Sequence, residues 1–136
     1  MKKSVLIMTL LFGCFGAAFL VQAEDKSASG HSAFPYDSAQ QVTISGKIQE
    51  VKEYQCPVSG TVGAHITVKS DSGTMEVHLA PVTFLKDYEI TFRAGDEVKV
   101  VGAKIVFDGK PALMARTVAV GDTVFTFRDP NGKPLW

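Results

Sequence analysis

The sequence has few cysteines and no excess of charge of either sign. Cys14 and Cys56 are its two cysteines, and 14 basic residues balance 14 acidic ones. A chain balanced in this way offers no broad cationic surface to a polyanion. Cys56 is the one cysteine after the N-terminal region, so that region's removal leaves no partner for an internal disulfide. Stability then has to come from the hydrophobic core.

Catalytic motifs are also missing. No serine occurs in a GxSxG context, and Asp96 and Glu97 are adjacent, so in an extended chain their carboxylates point to opposite sides. Cys56 with a histidine would imitate a thiol nucleophile and its base. A single cysteine in a loop rich in glycine and proline is more typical of a passive thiol. The sequence therefore predicts that the protein is not an enzyme.

The N-terminus has the features of an export signal. A basic dipeptide precedes an apolar run from Val5 to Val21, and a small-residue site ends at Ala23, immediately before charged residues. This pattern predicts a cleaved signal peptide over residues 1–23 and a periplasmic or secreted protein that leaves the membrane after cleavage. Two alternatives stay open. The run of about 17 residues would marginally span a bilayer as an uncleaved anchor, and Cys14, in a weak lipoprotein-box context, would carry a lipid.

The remaining chain is long enough for one domain with a single core. Residues 24–40 are polar and lack apolar periodicity, which predicts a flexible linker that includes His31. The domain is predicted over residues 41–136. The signal holds two basic residues and no acidic ones, so the exported part has a net charge of −2.

Alternating apolar residues dominate from Gln41 onward and predict an all-β domain. The first strand is long and contains Gly46, a natural bend or bulge, and the loop 55–63 follows it. A hairpin then turns at Asp71-Ser72. Pro81 begins a short helix of about two turns, in which aromatic and aliphatic residues as far as Phe92 fall at helical spacing. Two further strands are predicted over 98–107 and 113–120, joined at Asp108-Gly109, and a short tail strand over 123–127.

This order predicts a five-stranded OB-type Greek-key barrel, with one short helix between strands 3 and 4 and a C-terminal tail strand. A bent first strand and a helix in that position are both typical of the OB fold. Barrel closure would also protect the sheet edges. A β-sandwich or another small barrel is the alternative. Trp136, the one tryptophan, is interpreted as a plug on an open barrel end, with a partner contact as the alternative.

Several segments carry a resemblance to a known family. They are His65–Lys69, Glu76–Pro81 (EVHLAP), Gly95–Gly102 (GDEVKVVG), Asp108–Ala112 (DGKPA), Ala115–Val118 and Arg128–Trp136 (RDPNGKPLW). On these motifs the chain resembles a family of small exported bacterial OB-fold proteins without an assigned activity. Ala80, where the family pattern has Gly, departs from it. The resemblance implies the fold and export but no ligand.

The second hairpin supplies the candidate site. The tight turn and the apolar face fix the register, because a slip of one residue would turn one strand's apolar set outward. This register places His65 directly opposite His78, close enough for two imidazoles to share a metal ion. The hairpin face that carries them is predicted to be solvated. Cys56 lies in the preceding loop, and a His, His, Cys set would suit Zn or Cu(I). Two polar residues on a wet face, beside a passive thiol, are the alternative.

The sequence thus predicts a periplasmic, non-enzymatic binding or accessory module for a small ligand, a metal or a periplasmic protein that the sequence does not identify. The alternative is a metal- or haem-handling protein that uses His65, His78 and Cys56. Oligonucleotide or oligosaccharide binding is a remote third reading. Nucleic acid is disfavoured because strands 2 and 3 have no aromatic residue on the polar face, where Lys69 is the single basic residue.

Overall fold

The computed structural model describes residues 35–56 and 60–136. The predicted signal peptide, residues 24–34 of the predicted linker, Cys14 and His31 lie outside these residues. The regular elements are β1 (Gln41–Gln55), β2 (Val62–Ser70), β3 (Gly73–Pro81), α1 (Val82–Asp87), β4 (Glu97–Phe107), β5 (Lys110–Val120) and β6 (Thr123–Thr126). None of the helical segments in the described part of the chain has the length and hydrophobicity to span a membrane.

The strands form a closed barrel. Their hydrogen-bonded order is β3-β2-β1-β4-β5-β6, and an additional parallel pairing joins β3 to β5. Five strands therefore close on themselves, with α1 between β3 and β4, and β6 extends the sheet beyond β5. This connectivity is that of the OB fold, so the predicted fold is confirmed. All other pairings are antiparallel.

The long first strand is shared between two neighbours. Its first half pairs with β4 and its second half with β2, and the register with β2 shifts between Ile48 and Glu50. Gly46 lies just before this shift, where a Cβ atom would be 2.8 Å from the carbonyl carbon of Lys69. Real Cβ atoms do not approach backbone this closely, so glycine is needed here because β2 packs against it.

Gly102 has the same role on β4. The register of β4 with β5 shifts between Val101 and Gly102, and a Cβ atom at Gly102 would be 3.0 Å from the carbonyl carbon of Met114. Both glycines therefore mark close backbone approaches, and neither has a positive φ. The sequence predicted a bend or bulge at Gly46, and close packing is the physical reason for glycine at both positions.

The barrel interior is filled by the apolar face of each strand. Its members include Ile48, Ile66, Val68, Val77, Leu79, Val98, Val100, Leu113, Ala115, Val118 and Phe127. The helix is shorter than the sequence predicted, because α1 ends at Asp87 and Glu89 adopts a positive φ of 53°. Phe92 lies beyond α1, yet it packs in the core as its apolar character requires.

The C-terminal tail folds back onto the barrel. The Trp136 ring lies 5.7 Å from the ring of Phe84 in α1, and the Arg128 guanidinium carbon lies 4.8 Å above the indole. Trp136 packs against the core, as its interpretation as a plug requires. Arg128 is 3% exposed and donates a hydrogen bond to the carbonyl of Gly132 at 3.2 Å. The Asp129 carboxylate accepts backbone N–H bonds within its own turn.

Residues 35–40 also contact the tail. Ser38–Gln40 form one turn of 3₁₀ helix, and the Asp37 carboxylate caps it by accepting the Ala39 N–H. The Tyr36 ring packs against Gly132, and its hydroxyl donates to the side chain of Gln41 at 2.9 Å. The end of the predicted linker is therefore in contact with the domain.

Candidate metal site

The β2–β3 hairpin places two histidines side by side. The pairing register is His65 with His78, Ile66 with Val77, Thr67 with Glu76 and Val68 with Met75. The turn consists of Asp71 and Ser72, between the ends of the two strands. The cross-strand neighbourhood of His65 and His78 that the register predicted is therefore confirmed. Their rings are stacked, with centroids 3.9 Å apart and planes at 23°.

Glu76 completes the group. Its Oε1 lies 2.8 Å from His65 Nδ1 and 3.6 Å from His78 Nε2. One ligand atom from each of the three residues falls within 4.8 Å of the other two. Sequence reasoning missed Glu76 as a ligand. The signal was present, because Glu76 precedes His78 by two residues on the same strand, and such residues share a face.

Cys56 is not part of this group. Among the described residues, the cluster of possible metal ligands at the hairpin consists of His65, Glu76 and His78. Cys56 directly follows β1, where its N–H donates to the carbonyl of Thr61 and its own carbonyl accepts the Gly60 N–H, both at 2.9 Å. The geometry thus brings together two of the three ligands that the sequence predicted and adds a carboxylate.

The histidine face is covered, and the prediction that it is solvated is wrong. His65 is 6% exposed as a residue, and the His78 side chain is 14% exposed. The Tyr54 ring, from β1, stacks on His65 at 5.5 Å, and the Phe107 ring, from β4, contacts His78 edge-on at 4.4 Å. The strand alternation showed which side of the hairpin faces outward, but not that aromatic residues of neighbouring strands extend over it.

Burial keeps both imidazoles in their neutral form. It lowers the pKa of His78 to about 4, with a further contribution from the nearby His65 and an opposing one from Glu76. Burial also lowers the pKa of His65, although the hydrogen bond and the charge of Glu76 oppose the effect. Both groups are therefore uncharged at neutral pH. Neutral imidazole is the form that binds metal ions.

The donor set suits a transition-metal ion. Two histidines and a carboxylate bind Zn²⁺ in many proteins and Fe²⁺ in others. Two ligand atoms that are each 2.0–2.1 Å from a tetrahedral ion lie about 3.4 Å from one another. This separation falls between the distances of Glu76 Oε1 from His65 Nδ1, 2.8 Å, and from His78 Nε2, 3.6 Å. A carboxylate is a harder ligand than a thiolate. Its presence in place of Cys56 shifts the expected preference from Cu(I) and Zn²⁺ toward divalent ions such as Zn²⁺ and Fe²⁺.

The site lies where OB folds bind their ligands. The outer face of strands 2 and 3, with the loops between strands 1 and 2 and between strands 4 and 5, is the usual binding surface of this fold. Here Tyr54 lies just before the first of these loops and Phe107 just before the second. The ends of β1 and β4 therefore lie beside the His65, Glu76 and His78 cluster.

The fold and the cluster define a small OB-fold protein with a histidine–carboxylate group on the outer face of strands 2 and 3, the face at which OB folds usually bind ligands. The family model described as "MamS/MamX magnetosome protein family" matches residues 40–125, which include every residue of the cluster and its aromatic cover. The match covers more than half of the chain, and the protein belongs to this family. No curated protein matches the chain.

Solved structures with a similar chain path are distant. The S. pombe Stn1–Ten1 complex aligns at 20% identity over 67% of this chain and 60% of that chain, with a TM-score of 0.44. Rim1, a mitochondrial single-stranded DNA binding protein from S. cerevisiae, aligns at 15% identity over 64% of this chain and 97% of that chain, with a TM-score of 0.40. The strand order remains the observation that defines the fold.

Proposed function

We propose that this member of the MamS/MamX family is an exported, non-enzymatic binding module that holds a transition-metal ion at His65, Glu76 and His78. The observation that carries the proposal is the convergence of their ligand atoms within 4.8 Å on the covered outer face of the hairpin. Two neutral imidazoles and a carboxylate provide three protein ligands, as in many zinc sites. A further group would occupy the fourth coordination position.

A purely structural polar cluster is the competing interpretation. In that case the His65–Glu76 hydrogen bond would satisfy the buried groups and nothing would bind. Burial and the neighbouring His65 both oppose protonation of His78, so near neutral pH its ring keeps a nitrogen lone pair that no proton occupies. A bound cation would use the lone pairs that the unprotonated rings retain.

Binding is favoured over catalysis because the aromatic cover leaves the two imidazoles little contact with solvent. Tyr54 and Phe107 pack on each other at 5.2 Å as well as on the histidines. The same contacts argue against nucleic acid as the ligand. Rings already stacked on imidazoles are poorly placed to stack on bases, and Lys69 is the single basic residue on the outer face of the hairpin.

The experiment is a titration of chelator-treated protein with Zn²⁺, Co²⁺ and, under anaerobic conditions, Fe²⁺. We expect saturable binding of one equivalent. His65→Ala and His78→Ala should each weaken it at least tenfold, about 1.4 kcal/mol, because each removes one ligand. Glu76→Gln should weaken binding as well while preserving side-chain size. Co²⁺ absorption would report the coordination geometry directly.

Matched controls are available in the chain. His31→Ala removes the third histidine of the sequence, and Glu97→Gln neutralises an exposed carboxylate on β4. Neither should change the affinity. Binding that survives His65→Ala and His78→Ala, or that His31→Ala abolishes, would contradict the proposed site. An absence of binding in the parent protein would leave the cluster with a structural role.

The exported location belongs to the proposal and rests on the signal-peptide pattern. We expect the mature chain in the native host to begin at Glu24, because the small-residue site ends at Ala23. Intact-mass measurement of protein from the cell envelope tests this. A chain that begins at a lipidated Cys14, or one that keeps Met1, would require a membrane-anchored protein instead.

A further inference from the structure

Met114 lies beside His78 on the outer face of the barrel. The two residues are register partners where β3 and β5 run parallel, and the preceding pair is Val77 with Leu113. Val77 and Leu113 both belong to the interior core. Because side chains alternate along a strand, His78 and Met114 project from the opposite, outer face.

Among the three β5 residues that pair with β3, Met114 is the one that places a long side chain on the outer face. The residue two positions before it is Ala112, the register partner of Glu76, and its partner on β4 is Ala103. Met114 is 1% exposed, although it is not a member of the interior core. It is therefore covered on the outer face, in the same layer as the histidines and their aromatic cover.

We infer that Met114 provides a thioether ligand to the ion held by His65, Glu76 and His78, and that it gives the site a preference for copper in its Cu(I) state. This inference rests on the proposed function and deepens it. A thioether is neutral, soft and carried by three rotatable bonds, so it reaches a neighbouring ion without a change in the backbone. Soft thioether ligands select Cu(I).

The positions of the ligands also explain why the Glu76 carboxylate alone does not determine which metal ion the site prefers. Glu76 lies opposite Ala112, which has no ligand atom, whereas His78 lies opposite Met114. The ion therefore has hard and soft ligands on different sides. Zn²⁺ and Fe²⁺ would use the imidazoles and the carboxylate, and Cu(I) would use the imidazoles and the thioether. Met114 is then the residue that distinguishes these ions.

The experiment compares Cu(I) and Zn²⁺ affinities of Met114→Leu. Cu(I) is measured anaerobically in competition with a chromophoric chelator, on the chain that begins at Glu24 with Cys56 changed to Ser, so that no thiol binds the ion. Leucine keeps the volume and hydrophobicity of methionine, so the fold is preserved. Met75→Leu is the matched control, because Met75 packs against the interior core on the same strand as His78.

We expect Met114→Leu to weaken Cu(I) binding at least tenfold and to change Zn²⁺ affinity less than twofold, while Met75→Leu changes neither. X-ray absorption of the Cu(I) form should show a sulfur scatterer that Met114→Leu removes. Equal Cu(I) affinities for Met114→Leu and Met75→Leu, with binding still dependent on His65 and His78, would overturn this inference alone. Metal binding that is indifferent to both histidines would overturn the proposed function as well.

Discussion

Replacing His78 by glutamine should change how the stability of the metal-free protein depends on pH. In the unfolded chain a histidine takes up a proton near pH 6.5. In the folded protein His78 stays neutral until about pH 4, mainly because it is buried and also because His65 is near. Between these values the unfolded state binds more protons than the folded state. The free energy of unfolding therefore falls as the pH is lowered through this window. Above the window the contribution of His78 to stability is at its full value.

The magnitude follows from the pKa difference. A shift from 6.5 to about 4 corresponds to about 3 kcal/mol between neutral pH and pH 4. The remaining exposure of the side chain reduces this to about 2–3 kcal/mol. Glutamine does not titrate, so His78→Gln should lose that much less stability than the parent over the same interval. The carboxylates common to both proteins cancel in the comparison.

Urea unfolding of chelator-treated protein at pH 7, 6, 5 and 4 measures the effect. The free energy of unfolding should fall with urea concentration at the same slope for both proteins. Equal slopes show that the substitution changes stability and leaves the surface exposed on unfolding unchanged. The reasoning would be refuted by parallel pH profiles for the parent and His78→Gln, since His78 would then titrate alike in both states. A parent that gains stability as the pH falls would reverse the sign and also refute it.

Two further predictions concern the barrel and its tail. Gly46→Ala should lower the free energy of unfolding by about 1–3 kcal/mol, because a Cβ atom there meets the backbone of β2, whereas the neighbouring Ser45→Ala should stay within about 0.5 kcal/mol; equal urea midpoints for the two variants would contradict this. Trp136→Ala should destabilise by about 2 kcal/mol through loss of its contacts with Phe84 and Arg128, and Trp136→Phe should restore part of it. A thermal midpoint unaffected by Trp136→Ala would show that the tail does not support the barrel.

The fold could be predicted from the sequence because the strand patterns and the turn residues all indicated the same architecture. The Asp71-Ser72 and Asp108-Gly109 turns join the strands as predicted, and both Asp108 and Gly109 adopt the positive φ of a tight hairpin. The helix was overestimated for a physical reason. Phe92 continues the helical spacing beyond Asp87, but it reaches the core from the irregular segment between α1 and β4.

Only part of the candidate site could be predicted from the sequence. The His65–His78 pair follows from the register of one hairpin, which is local information. Phe107 belongs to β4, remote in sequence from that hairpin, and its position over the histidines depends on closure of the barrel. Cys56 was included because a loop thiol near the hairpin end had suitable chemistry, whereas the spacing that places Glu76 on the same face as His78 was not used.

The local origin of the three ligands has a consequence for the order of folding. His65, Glu76 and His78 all lie on one two-stranded hairpin with a two-residue turn, and such hairpins form in about 1–10 µs. Their cover and Met114 come from β1, β4 and β5, and β5 is joined to β3 through only three residue pairs. Contacts of this long range form late, because the loops that connect them must close first. The three side chains are thus brought together before they are enclosed, so an ion at the proposed site would enter while the chain is still folding and would be enclosed when the barrel closes.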